Sequence, residues 1–202
     1  ALTRSVAEEV AACAADVSRR DDASAGAIMN ALVLTGAAMT LAGTPRPASG
    51  AEHDLSHFWE IKALESGQIP EFHGKTVAVA TVLVNRVYHL LAETEQIFPR
   101  RETLNWERID AVYGPAFSPQ VHEFQHPPIT DSVSLPLLAE RWPQIREIIR
   151  ALPSDTEMTR WLLQAGAAVT PEEIALSAEE CITGLRWHPY MRSRITLLRV
   201  FP

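Results

Sequence analysis

The chain has 202 residues, 47% of them hydrophobic, enough to bury one substantial core or two small ones sharing an interface. A formal net charge of −7, with no run of clustered Lys and Arg, speaks against a nucleic-acid or anionic-membrane surface and leaves small molecules and proteins as partners. Cys13 and Cys181 lie far apart in helix-patterned apolar surroundings. With no secretory leader, they read as reduced thiols in a cytoplasmic protein.

The periodicity is helical almost throughout. Val6, Val10 and Cys13 share a face of a first helix that ends at the charged corner formed by residues 19–22. Residues 23–45 carry no charged side chain until Arg46. Their Ala, Gly, Thr and Met content, with Asn30 inside, is too modest for a membrane span and predicts a core helix over 25–41, apolar all round. Thr44-Pro45-Arg46-Pro47 breaks it, since neither proline continues a helix interior. Ser49 is the expected N-cap of the next helix, with Glu52 three residues on completing a capping box and the helix running to about Glu65. A long apolar helix follows from His73 to about Leu91. Residues 99–136 are rich in proline and turn formers and are expected to be the least regular stretch. Leu138, Trp142, Ile145, Ile149 and Leu152 restore an amphipathic helix, and residues 155–163 add another. Thr170-Pro171-Glu172-Glu173 reads as a strong helix start, and a final helix is expected over 189–200. No strand-like alternation persists, so the expected fold is a single all-α helical bundle over residues 1–202.

The segment richest in chemistry is Ser49-Gly50-Ala51-Glu52-His53-Asp54-Leu55-Ser56-His57, followed by His73-Gly74. His53 and His57, four apart, project from one helix face. An antiparallel return brings His73 beside them, so three imidazoles can converge in one pocket; imidazole nitrogen suits zinc, iron or nickel, and two histidines plus a carboxylate leave a fourth position open for substrate. Spacing alone is equally served by ordinary helix-surface histidines. A second cluster, His122-Glu123-Phe124-Gln125-His126, matches the zinc-peptidase pattern H-E-x-x-H, yet Pro119 before it and Pro127-Pro128 after it leave little room for the rigid helix that pattern needs. It is read as a short solvated segment. The nine glycines never fall two apart, so neither the G-x-G-x-x-G dinucleotide fingerprint nor a Walker A loop is present. No G-x-S-x-G elbow or Cys-based nucleophile group appears either.

The run Arg46-Pro47-Ala48-Ser49-Gly50-Ala51-Glu52-His53, with His57, Trp59-Glu60 and His73-Gly74, resembles the metal-binding region of the sn-glycerol-1-phosphate dehydrogenases. These belong to the superfamily of iron- or zinc-dependent alcohol dehydrogenases, glycerol dehydrogenase and 3-dehydroquinate synthase. Further likeness runs through residues 34–39, 171–174 and 192–197. The resemblance implies the C-terminal helical domain of a two-domain enzyme whose N-terminal α/β half binds NAD or NADP. It implies His53 and His73 as ligands of Zn2+, Fe2+ or Ni2+, and a third ligand, an aspartate, upstream of residue 1. Asp16, Asp21 and Asp22 do not sit in that motif, so the chain is expected to be a fragment, inactive alone. In the intact enzyme the metal polarises the oxygen of a polyol or its phosphate during hydride transfer. His57, one turn beyond His53, is expected to carry a proton or contact substrate rather than bind the ion. Arg46 and Ser49 are expected to touch a substrate phosphate, with helix capping by Ser49 and a surface role for Arg46 as the alternatives. A 3-dehydroquinate synthase-like lyase and a non-catalytic helical binding module stay open as other functions, and a homo-oligomer as the assembly.

Overall fold

The computed structural model describes residues 2–200, and among them every regular element is helical. Ten α-helices follow in order: α1 (Leu2–Ala12), α2 (Ala14–Val17), α3 (Asp22–Ala42), α4 (Ala51–Glu65), α5 (His73–Ala92), α6 (Trp106–Phe124), α7 (Leu135–Arg150), α8 (Asp155–Gln164), α9 (Ala178–Trp187) and α10 (Leu197–Val200). Short 3-10 turns occupy Ile129–Ser132, Pro171–Ile174 and His188–Tyr190.

The main core lies where α4 and α5 pack as an antiparallel hairpin and α6 and α9 close over it. Leu55, Phe58 and Trp59 of α4 meet Val79, Ala80 and Val84 of α5, Ile109 and Tyr113 of α6, and Cys181 of α9. A smaller core joins Ala92 and Ile97 to Trp142 and Ile149 of α7, with the Trp142 indole N–H donating to the Thr94 carbonyl at 2.8 Å. Cys13 and Cys181 are both free thiols, the second buried.

Several local expectations change. The N-cap of α4 is Gly50 and not Ser49: the Glu52 carboxylate folds back to accept from the Gly50 N–H at 2.8 Å. Ser49 lies one residue outside, where Arg194 donates to its carbonyl oxygen. The stretch 99–136 is more regular than its prolines suggest. Gly114, at φ +64°, breaks α6 into two segments, and Pro115 then falls in the opening turn of the second, where its missing N–H leaves no acceptor unpaired. Thr170 does complete a capping box with Glu173, but the turn it opens is the 3-10 turn Pro171–Ile174, which Ala175 ends in a left-handed conformation. The longer helix starts at Ser177, through a second box with Glu180. The helix expected over 189–200 is split, with irregular backbone between Tyr190 and Leu197.

The largest departure is α3. Asp21 caps it, accepting from the Ser24 N–H, and Gly43 ends it at φ +63°. It is not enclosed: Met29, Leu32, Val33 and Leu41 are all more than half exposed, and Ser24 is its one buried residue. By length and composition it suffices to cross a membrane.

Candidate metal centre

Residue spacing and the α4–α5 hairpin together build the site. Ser56 and Glu60 lie one turn apart on α4, and the antiparallel return sets His73 and Thr76, the first turn of α5, against them. The Ser56 and Thr76 hydroxyls are 2.6 Å apart and fully enclosed, and the Thr76 hydroxyl also lies 3.1 Å from Glu60 Oε1. This small polar seam fixes the register of the two helices where the histidines meet.

Three imidazoles converge there. The His57 and His73 rings stack with centroids 4.8 Å apart; His53 lies 5.5 Å from His73 and 6.5 Å from His57. Each ring is anchored by a carboxylate at Nδ1: His53 on Glu52 at 2.8 Å, His57 on Glu60 Oε2 at 2.8 Å, and His73 on Glu60 Oε1 at 2.6 Å. A neutral imidazole that donates from Nδ1 carries its lone pair on Nε2, so all three present that nitrogen as a ligand atom. Burial raises the Glu60 pKa, but hydrogen bonds from His73, His57 and Ser56 outweigh it and hold the carboxyl below its ordinary value. Glu52 behaves alike, with burial opposed by His53 and the Gly50 N–H.

Imidazole nitrogens, each ring oriented by a carboxylate behind it, suit a borderline divalent metal. His57, Glu60 and His73 form a group whose ligand atoms all lie within 4.8 Å of one another. Local sequence marks Glu60 only by its spacing, four residues after Ser56 and three after His57. What the sequence hides is that one carboxylate reaches histidines on two helices.

The H-E-x-x-H cluster is organised differently. His122 and His126 both stack on Trp106, with centroids 4.1 and 5.0 Å away, and His122 Nε2 lies 2.8 Å from Asp110. His122 and Glu123 close α6, so the pattern sits at a helix end and not on a solvated coil. Gln125 is fully buried as a strut, donating to the carbonyls of Tyr190 at 2.7 Å and Arg192 at 3.1 Å.

Beside the imidazoles lies a cleft of about 590 Å³, lined by His57, Glu60, Arg46, Arg192 and Arg194. Arg46 is exposed on its wall. Arg194 is inward-facing, donating to the carbonyls of Ser49 and Gly50, and lies 3.6 Å from the buried Asp54. Ser49 is therefore tied to the loop's anchorage. Burial raises the Asp54 pKa, and the two neighbouring arginines lower it less than burial lifts it.

The chain is 29% identical over 194 residues to a glycerol-1-phosphate dehydrogenase using NAD(P)+ from Geobacillus stearothermophilus, a match covering 90% of this chain and 41% of that protein. The Bacillus subtilis protein of the same description is 25% identical over 198 residues, 96% of this chain and 41% of its own length. One from Korarchaeum cryptofilum is 39% identical over 69 residues, 34% of this chain and 22% of its own. The chain thus spans about two fifths of the bacterial relatives it matches. No family model matches the chain, and no solved structure does.

Proposed function

We propose, from its homology to a segment of the NAD(P)-dependent glycerol-1-phosphate dehydrogenases, that this chain is the metal-binding catalytic half of a polyol-phosphate dehydrogenase, the helical C-terminal domain of a two-domain enzyme. The observation that carries the reading is the convergence of three imidazoles, each held at Nδ1 by a carboxylate, in a chain matched over nine tenths of its length by such dehydrogenases.

His53 and His73 would hold the ion, with Glu52 and Glu60 bonded at Nδ1 and fixing their tautomers. When bound, a divalent metal supplies Lewis acidity at the carbonyl oxygen, and the reduced nicotinamide supplies the hydride. His57 lines the cleft and shares Glu60 with His73. It holds the proton that turns the reduced oxygen into a hydroxyl, a task suited to an imidazole, which can both donate and accept one. The 202 residues contain no dinucleotide fingerprint, so turnover needs a nucleotide-binding half, and this chain purified alone is inactive.

The grouping of His57, Glu60 and His73 supports a second ligand set, in which His57 binds the ion directly. Metal content and turnover of the full-length protein separate the two. His53→Ala and His73→Ala are expected to lose the metal. Glu60→Gln weakens metal affinity about 10–100-fold by releasing two imidazoles. His57→Ala retains the metal and lowers kcat. Loss of metal from His57→Ala as complete as from His53→Ala, in a folded protein, assigns His57 as a ligand. A full-length protein that holds no divalent ion and reduces no dihydroxyacetone phosphate with NAD(P)H overturns the reading.

A further inference from the structure

Four arginines near the C-terminal segment and the loop before α4 divide into two kinds. Arg199 and Arg194 are satisfied. Arg199 is enclosed, paired with Glu102 and donating to Gln125 Oε1 at 2.7 Å, while Arg194 spends its donors on the carbonyls of Ser49 and Gly50. Arg192 and Arg46 are not. Among the described residues neither guanidinium makes a hydrogen bond, although a guanidinium offers five N–H donors. The nearest acid to Arg192 is Asp54, 3.5 Å from its Nε and 3.6 Å from Arg194. One buried carboxylate, itself without a hydrogen bond at Oδ1, thus faces two guanidiniums, and Arg46 adds a third positive charge on the same cleft wall. In a chain of net charge −7, this local excess of positive charge stands beside His57 and Glu60.

The backbone that presents Arg192 is also built in advance. Its carbonyl accepts from the fully buried Gln125 and from the Arg194 N–H, and the loop carrying Arg46 leads directly to the carbonyls gripped by Arg194. Such rigid support costs little ordering on binding. A cleft of about 590 Å³ has the size of a small-molecule site.

We propose that Arg192 and Arg46 form the seat for the phosphate group of the substrate, a monoester dianion held by charge-assisted and, at Arg192, bidentate hydrogen bonds. Asp54 and Arg194 act as positioning residues that hold the two arms of the seat together. The proposal rests on the polyol-phosphate reading above and assigns to it the residues that distinguish a phosphorylated polyol from a free one.

The test uses the full-length protein in two measurements. The first is calorimetric titration of the metal-stripped protein with inorganic phosphate, where Arg192→Gln is expected to weaken binding about tenfold or more and Arg46→Gln about threefold or more. Arg192→Lys, which keeps the charge and loses the planar fork, recovers part of that loss. The second is steady-state kinetics of the metal-loaded protein. In Arg192→Gln, KM for dihydroxyacetone phosphate rises about tenfold while kcat stays within about threefold and KM for unphosphorylated dihydroxyacetone is unchanged. Arg160→Gln, on the surface of α8, changes neither. Unaltered phosphate affinity and KM in a folded Arg192→Gln protein overturn the proposal. If that variant does not fold, Arg46→Gln decides alone, since its exposed guanidinium supports no contact, and unaltered values there overturn it equally. A wild-type protein that binds phosphate in an Arg192-dependent way yet reduces no phosphorylated ketone upholds the seat and removes the dehydrogenase reading.

Discussion

His188 has no exposed surface, unlike the three histidines of the candidate metal centre. Its Nδ1 bonds the Gly184 carbonyl at 2.9 Å and its Nε2 has no partner, so protonation would leave a buried charge poorly solvated. Burial drives its pKa down from 6.5 to about 4, against the backbone bond that raises it. A group with a depressed folded pKa that is neutral when deprotonated penalises folding in acid. Between pH 6.5 and 4 the unfolded chain binds a proton that the native state refuses, so stability falls as pH falls across that window, by about 3 kcal/mol in all. Urea unfolding at pH 7 and pH 5 should therefore show a smaller acid loss for His188→Gln than for the parent. An equal loss in both proteins means that His188 titrates normally. Nothing in the local sequence around Trp187-His188-Pro189 signals this enclosure, because it is made by packing from other elements. The histidines of the candidate metal centre were legible for the opposite reason: a spacing of four on one helix is a local fact.

At the scale of elements, α9 shows how a helix escapes periodicity yet carries its own start signal. Ser177 and Glu180 form a complete capping box, with the Ser177 N–H on Glu180 Oε2 at 2.7 Å. The sequence signature S-x-x-E is present, but the stronger-looking Thr170-Pro171-Glu172-Glu173 places the start seven residues early. Gly184 then lets α9 approach α4: a β-carbon there would collide with the Trp59 indole nitrogen and stand 2.8 Å from Leu55 Cδ1. Alanine normally stabilises a helix interior by about 1 kcal/mol over glycine. Here the overpacking of α9 against α4 is expected to outweigh that gain, so Gly184→Ala should destabilise the protein by roughly 1–3 kcal/mol in denaturant unfolding. A variant more stable than the parent would show that the two helices separate freely. Because α4 carries His53, His57 and Glu60, the same substitution should also perturb metal affinity.

Across the whole molecule, a buried charged knot helps to tie the C-terminal segment to the body. The Arg199 side chain is fully enclosed, paired with Glu102 and bonded to Gln125, and its guanidinium lies 4.8 Å from the Tyr190 ring. Removing one partner strands the other charge, so Arg199→Met is expected to cost about 3–5 kcal/mol and to lower the thermal midpoint, with Glu102 left unpaired. Simultaneous replacement of Glu102 by leucine should recover much of that loss, and a double variant as unstable as the single one would argue against the charge as the cause. At the other end α3 leaves its apolar side chains in the open, although the Bacillus subtilis match, covering 96% of the chain, takes in this helix almost entirely.

The sequence by itself determined the helical class, the hairpin of α4 and α5, the candidate histidines and the likeness to glycerol-1-phosphate dehydrogenases. All of these rest on periodicity, breakers and short motifs, which are properties of neighbouring residues. Tertiary structure decided the rest. It placed Glu60 between two histidines 16 residues apart, brought Arg192 to a cleft shared with Arg46, enclosed His188 and left α3 uncovered. Apolar composition says how readily a helix can be buried, but burial requires a partner surface. For α3 the composition suits a core helix, while the packing around it covers Ser24 and leaves most of its large apolar side chains exposed.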